Sequence, residues 1–62
     1  MTRTTTRTIW AKDGRVLAPR TKIEVIAWIE DGWRLAFLVE ERDQMVKLSE
    51  DDLRDHTELV FA

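Results

Sequence analysis

The fold is decided by residues 23–39, IEVIAWIEDGWRLAFLV. This segment predicts one β-hairpin, because β-branched and aromatic residues flank Asp31-Gly32 on both sides. Asp-Gly favours a two-residue type I′ turn, in which both central residues need a positive φ. Such a turn pairs Glu30 with Trp33. Each further pair consists of the residues one position further from the turn on the two strands.

Side-chain alternation divides the hairpin into two faces, and both are apolar in the middle. One face carries small and aliphatic residues: Ile23, Val25, Ala27, Ile29, Ala36 and Leu38. The other is edged by Glu24 and Glu30 and carries larger residues: Ile26, Trp28, Trp33, Leu35, Phe37 and Val39. One face must form the core. The other must be covered by the rest of the chain, a second subunit or a ligand.

The remaining sequence predicts further short strands and one helical turn. Residues 1–3 are expected to be disordered, and residues 4–62 to form a single domain. Strands are expected over 4–11, 15–18, 44–48 and 57–61, with a turn at Asp13-Gly14. Ser49 and Asp52 fit a capping box, which predicts a short helix over about 49–56 with Leu53 pointing inward.

These elements predict a mainly β fold. Five or six short antiparallel strands would form a small barrel, with one short helical turn (about 49–56) before the last strand. Closing or curling the sheet would remove the exposed edges that promote unwanted strand pairing.

Residues 21–61 resemble a Src-homology-3 domain in their architecture. In that family a strand with two inward residues enters a short hairpin. The turn ends in an acidic-Gly-Trp sequence, and a small core residue follows three positions after the tryptophan. The matching positions are Ile23 and Val25, Asp31-Gly32-Trp33, Ala36, Val46 and the helical turn 49–53.

The polyproline-binding motifs of the eukaryotic family are replaced in this chain. The first strand reads Thr8-Ile9-Trp10-Ala11 where that family has Ala-Leu-Tyr-Asp-Tyr. Before the helical turn the chain reads Lys47-Leu48-Ser49-Glu50 where that family has Pro-Ser-Asn-Tyr. Only Trp33 coincides with a ligand-contacting position. The closer resemblance is to prokaryotic Src-homology-3-like small barrels, which implies a subunit, an adaptor or a nucleic-acid binder, and leaves the function open.

Charge is distributed unevenly along the chain. Residues 1–22 carry six Lys and Arg against Asp13, about +5, whereas residues 23–62 carry eleven acids against four bases, about −7. Three interpretations fit: the basic strand lies beside acidic ones, copies of the chain associate, or the basic segment binds an acidic partner or nucleic acid.

No catalytic, cofactor or metal site is predicted. The chain has no cysteine, which favours a reducing compartment such as the cytoplasm, and no apolar segment long enough to span a membrane. The acids at 50–52 suit a helix start, and those at 40–43 suit a solvated loop. His56 lacks a nucleophile motif, and Gly14 and Gly32 form no phosphate-binding loop. An enzyme is therefore not expected.

Three functions remain. The preferred one is a protein-interaction module, self-associating as a homo-oligomer through Trp28, Trp33, Leu35 and Phe37. The alternative for that face is that the N-terminal strand, with Ile9 and Trp10, covers it. The second function is nucleic-acid binding through a basic and aromatic set: Arg3, Arg7, Trp10, Arg15 and Arg20. The third is an inhibitor or host-takeover protein that presents the acidic segment 40–58 to a basic partner.

Overall fold

The computed structural model describes residues 1–60, and the predicted hairpin lies at its centre. Within these residues the elements follow in this order: β1 (Thr2–Thr5), β2 (Ile9–Trp10), β3 (Val16–Leu17), β4 (Lys22–Glu30), β5 (Trp33–Leu38), β6 (Met45–Ser49), α1 (Glu50–Asp55) and β7 (Thr57–Leu59). The predicted class is confirmed: the fold is mainly β, with one short helix before the last strand.

Two antiparallel sheets make up the fold. Five strands pair in the order β6-β5-β4-β1-β7, and β2 pairs with β3 in a separate small sheet. Over residues 1–60 there are thus seven strands instead of five or six, and their pairings do not close into a barrel. The outer edge of β6 accepts a backbone hydrogen bond from the turn between β2 and β3, from Lys12 N to Lys47 O at 2.9 Å.

The central turn has the predicted geometry. Asp31 and Gly32 have φ values of 52° and 83°, both positive as a type I′ turn requires. Glu30 pairs with Trp33 and Ile29 with Arg34, which is the predicted register. The Asp-Gly dipeptide therefore determines how this hairpin begins.

The predicted register fails further from the turn. A bulge between Val25 and Ile29 changes the pairing, so that Val25 lies opposite Ala36 and Ile23 opposite Leu38. Between the pairs Val25–Ala36 and Ile29–Arg34, β4 has three residues and β5 has one. The two extra residues preserve side-chain alternation at the far end of β4, because alternation has a period of two.

The core contains the inward residues predicted for the far half of the hairpin. The buried aliphatic residues of the described chain are Ile9, Ala11, Leu17, Ile23, Val25, Ala36, Val46, Leu48 and Leu53, with Leu38 packed against them. Ala27 and Ile29, predicted for the same face, are exposed. The prediction was wrong for these two residues because the bulge and the hairpin tip extend beyond the core.

The predicted strand over residues 4–11 is wrong, because the chain bends after Thr5. Thr5 is fully buried, and its hydroxyl donates to Ala18 O at 2.8 Å and accepts from Thr21 N at 2.9 Å. These bonds, together with Arg20 N to Thr5 O at 2.9 Å, tie the end of β1 to the loop before β4. Thr2 and Arg3, expected to be disordered, belong to β1.

The helix begins as predicted. The Ser49 hydroxyl accepts a hydrogen bond from Asp52 N at 3.0 Å, and Leu53 is buried against the sheet. Acidic residues occupy the first turn, where they interact favourably with the helix dipole. Strand β7 then pairs with β1, placing Arg3 opposite Leu59. Phe61, predicted to end this strand, lies outside the described residues.

We expect Thr5→Val to destabilise the protein by about 1–3 kcal/mol, because it preserves shape but removes the hydroxyl that accepts from Thr21 N, whereas Ala18 O keeps the hydrogen bond from the Thr21 hydroxyl. Urea unfolding, monitored by circular dichroism, measures the change in the free energy of unfolding. Thr4→Val is the matched control, since Thr4 lies on the same strand, is half-buried and makes no side-chain hydrogen bond within residues 1–60. Equal stability of the two variants would contradict the role of Thr5.

Candidate functional site

One side of the sheet presents aromatic residues to solvent. On β5, Trp33, Leu35 and Phe37 alternate with the core-facing residues. Their partners on β6 are Ser49, Lys47 and Met45 respectively. We call this surface, together with Trp28 of β4, the aromatic face. It contains all four residues predicted for protein binding: Trp28, Trp33, Leu35 and Phe37.

Exposure differs along the aromatic face. Trp28 is 46% exposed and Met45 is 45% exposed, whereas Trp33, Leu35 and Phe37 are half-buried. On the other side of the sheet, Ile29, opposite Arg34, is 53% exposed. The bulge therefore concentrates the most accessible apolar surface of the hairpin near its tip.

Three cationic side chains lie over the aromatic rings of this face. The Lys47 ammonium is 5.4 Å from the centre of the Trp28 ring, and the Lys12 ammonium is 5.6 Å from that of Trp33. The Arg42 guanidinium is 5.2 Å from the Phe37 ring centre. Each contact is worth about 0.5–1 kcal/mol at an exposed site. The face is thus partly covered by charged side chains of the same chain.

The N-terminal strand does not bury this face. Ile9 lies in the core on the other side of the sheet, at 2% exposure, and Trp10 is 59% exposed on β2. The contribution of the small sheet is the turn after β2, which brings Lys12 over Trp33. A groove of about 380 Å³ remains between that turn and the sheet, lined by Lys12, Asp13, Leu35, Met45, Val46 and Lys47.

Lys47 also forms the ion pair of the aromatic face. Its ammonium donates to both carboxylate oxygens of Glu30, at 3.0 and 2.9 Å. The hydrogen bond from Lys47 lowers the pKa of Glu30 below its ordinary value. Lys47 is therefore held between the Glu30 carboxylate and the Trp28 ring, which fixes the polar border of the groove.

The residues predicted for nucleic-acid binding make separate local contacts. Arg3 donates to the Thr57 hydroxyl at 2.6 Å, Arg15 to Gln44 Oε1 at 3.0 Å, and Arg20 pairs with Glu58 at 3.5 Å. Arg7 is exposed in the bend after β1, and Trp10 is exposed opposite Val16. Arg20–Glu58 is the type of basic–acidic contact that the charge distribution suggested.

Arg34 was not among the site residues predicted from the sequence. This residue alternates with Trp33 and Leu35, so it lies on the core side of β5 near the hairpin tip. Its Nε is buried and has no hydrogen-bond partner in the structure described for residues 1–60. The signal was available in the sequence, because Arg34 occupies the same alternation as Ala36 and Leu38.

The acidic residues of α1 lie close to basic side chains of the same segment. Asp51 and Asp55 pair with Arg54 at 2.9 and 3.0 Å, and the hydrogen bond from Arg54 lowers the pKa of Asp55. The backbone N–H of His56 caps the C-terminal end of α1, and the His56 Nε2 lies 3.9 Å from Asp52 Oδ1. Across residues 1–60, no group of three or more His, Cys, Asp or Glu side chains is arranged to hold a metal ion. The same residues contain no helix with the length and apolarity to cross a membrane.

Glu30→Gln should make the stability of the protein less sensitive to acid. The pKa of Glu30 is lower in the folded chain than in the unfolded one. Its contribution is therefore complete above the ordinary pKa of about 4.3 and is lost as pH falls through the lowered value. Urea unfolding at a series of acidic pH values measures the slope. Glu41→Gln, in an exposed loop, should retain the native slope; identical slopes in all three proteins would contradict the assignment.

Arg34→Met should raise the free energy of unfolding by about 1–3 kcal/mol, because it removes an unpartnered buried donor and retains much of the side-chain volume. Thermal unfolding measures the change. Arg15→Met, on an exposed turn, is the control and should shift stability by less than about 0.5 kcal/mol. A destabilised Arg34→Met variant would show that the guanidinium makes a structural contact.

Comparison of the chain with models of protein families, with curated proteins and with solved structures found no match.

Proposed function

We propose that this protein is a small, non-enzymatic protein-interaction module that associates with a second copy of itself through the aromatic face. The carrying observation is that Trp28 and Met45 remain nearly half exposed, although the core on the other side of the sheet is complete without them. An apolar surface of this kind, bordered by charges, is typical of a contact site. Tryptophan in particular contributes strongly to binding when it is buried in an interface.

The arrangement of charges on the face supports a second copy as the partner. One end carries Glu24 beside Phe37, over which Arg42 lies. The other end carries Glu30 and Lys12 beside Trp33. A two-fold axis running along the strands places β4 of one copy over β6 of the other at the same end of the face, so that Glu24 faces Arg42 and Glu30 faces Lys12. The face is therefore complementary to itself.

The size of the molecule limits the strength of this association. Its principal extents are 30 × 22 × 19 Å, so one side offers little more than the three-strand surface. A stable interface buries about 800 Å² on each partner, and smaller ones are weak or transient. We therefore expect a dissociation constant in the micromolar to millimolar range, and a population of dimer that rises with concentration.

We infer the relationship to Src-homology-3-like small barrels from the order of the elements. A hairpin centred on Asp31-Gly32-Trp33 is followed by a short strand, a helical turn and a last strand that pairs with the first. These features support the resemblance, and a cytoplasmic location accords with the cysteine-free sequence. Fold resemblance alone does not identify a partner, so the proposal rests on the aromatic face.

The acidic segment gives less support to an inhibitor function. Its loop acids precede β6 and its helical acids follow β6, so the two groups lie at opposite ends of that strand. Arg54 also pairs with two of the helical acids. A basic partner would therefore meet no continuous acidic surface along 40–58.

Sedimentation velocity from micromolar to millimolar protein tests self-association. We expect the native chain to shift from monomer to dimer, and Trp28→Ser to weaken dimerisation by at least about tenfold. Trp10→Ser is the matched control, because Trp10 is equally an exposed tryptophan but lies on the small sheet. Its dimerisation should equal that of the native chain.

Two results would overturn the proposal. One is a native chain that remains monomeric at millimolar concentration. The other is a dimer that survives Trp28→Ser and is lost in Trp10→Ser. Backbone amide shifts on dilution give an independent measurement, and they should be concentrated at Trp28, Leu35, Met45 and Lys47.

A further inference from the structure

A second concave surface lies on the opposite side of the sheet from the aromatic face. It is a cleft of about 400 Å³ at the end of the core, between β1, β5 and α1. Three arginines from three different elements line it: Arg3 of β1, Arg34 of β5 and Arg54 of α1. The other lining residues are Met1, Val25, Glu50 and Leu53.

Unused hydrogen-bond donors are available in this cleft. Arg34 makes no side-chain hydrogen bond or ion pair within residues 1–60, and its Nε is buried without a partner. Arg3 uses Nε and Nη2 on Thr57, and Arg54 uses Nε and Nη2 on Asp55 and Asp51. Because a guanidinium has five N–H donors, Arg3 and Arg54 each retain the donors of Nη1.

The position of Arg34 is costly without a ligand. A buried donor that lacks a partner loses its hydration and gains nothing in return. An oxyanion in the cleft would satisfy Nε and an adjacent Nη of the same guanidinium, which is the bidentate geometry arginine offers to phosphate and carboxylate.

We propose that this cleft binds a small molecule carrying a phosphate monoester. Arg3 and Arg34 form no ion pair within residues 1–60, whereas Arg54 pairs with Asp51 and Asp55, and the one lining carboxylate, Glu50, is exposed. Two guanidiniums without a carboxylate partner match a phosphate dianion better than a singly charged carboxylate. The cleft is larger than a phosphate group alone. Val25 and Leu53 provide apolar surface for the group attached to it.

A small ligand fits the surroundings better than a nucleic-acid strand. The acids Asp51 and Asp55 border the cleft through Arg54 and would repel a chain of phosphates that extends beyond it. The proposal does not depend on self-association, because Arg34 points to the side of β5 opposite Trp33 and Leu35.

Nuclear magnetic resonance titration tests the proposal, with the Arg34 Nε–H signal as the reporter. The probes are phenyl phosphate, inorganic phosphate, sulfate and acetate, at a constant ionic strength of about 0.1 M. We expect a saturable shift with phenyl phosphate and inorganic phosphate, and binding of acetate that is at least about tenfold weaker.

The dependence of ligand binding on pH tests whether the cleft prefers a dianion. Phenyl phosphate should bind several-fold more weakly at a pH of about 5 than at about 7.5, because the second pKa of a phosphate monoester is about 6. Sulfate remains a dianion throughout this range and should bind equally at both. Weakening of sulfate to the same degree as phosphate would contradict the argument from ligand charge.

Variants locate the site. Arg34→Met should abolish the phosphate-induced amide shifts around the cleft, while Arg15→Met, on an exposed turn, should leave them unchanged. The amide spectrum of each variant without ligand reports that it is folded. Shifts that persist in folded Arg34→Met overturn the proposal. So does acetate binding as tightly as phosphate, or a short oligothymidylate binding more tightly than phenyl phosphate with the same dependence on Arg34.

Discussion

The two-residue bulge in β4 is the constraint on which both surfaces depend. It divides the central hairpin into an inner half, where Ile23 and Val25 enter the core, and a tip that extends beyond it. In the tip, Trp28 is left accessible on one side of the sheet. On the other side Ile29, opposite Arg34, is exposed, so the arginine is not enclosed by core residues there. In a hairpin without the bulge, Ala27 would lie opposite Ala36 and therefore beside the core.

The sequence predicts the local structure well and the long-range structure incompletely. Asp31-Gly32 sets the turn and Ser49 sets the start of the helix, because both act through backbone groups within a few residues. The bend after Thr5 depends on bonds to Ala18 and Thr21, which local alternation cannot reveal. The same limit applies to the bulge, since Ala27 and Ile29 fit the alternating pattern but lie outside the core.

The two candidate surfaces, like the fold, could be predicted from the sequence only in part. Alternation identifies Trp28, Trp33, Leu35 and Phe37 as one face, but it does not reveal that Lys12, Arg42 and Lys47 lie over the rings. Arg34 shows the converse case. Its place in the pattern of inward residues is visible in the sequence, whereas the convergence with Arg3 and Arg54 requires the tertiary fold.

The order of strands in the large sheet also has a consequence for how quickly the chain folds. Strands β4, β5 and β6 are consecutive and joined by short connections, so their pairing requires little loop closure. By contrast, β1 pairs with β7 across nearly the whole chain, with Arg3 opposite Leu59. Non-local contacts of this kind slow folding. We therefore expect the meander of β4 to β6 to form first, and the pairing of β1 with β7 to complete the native state.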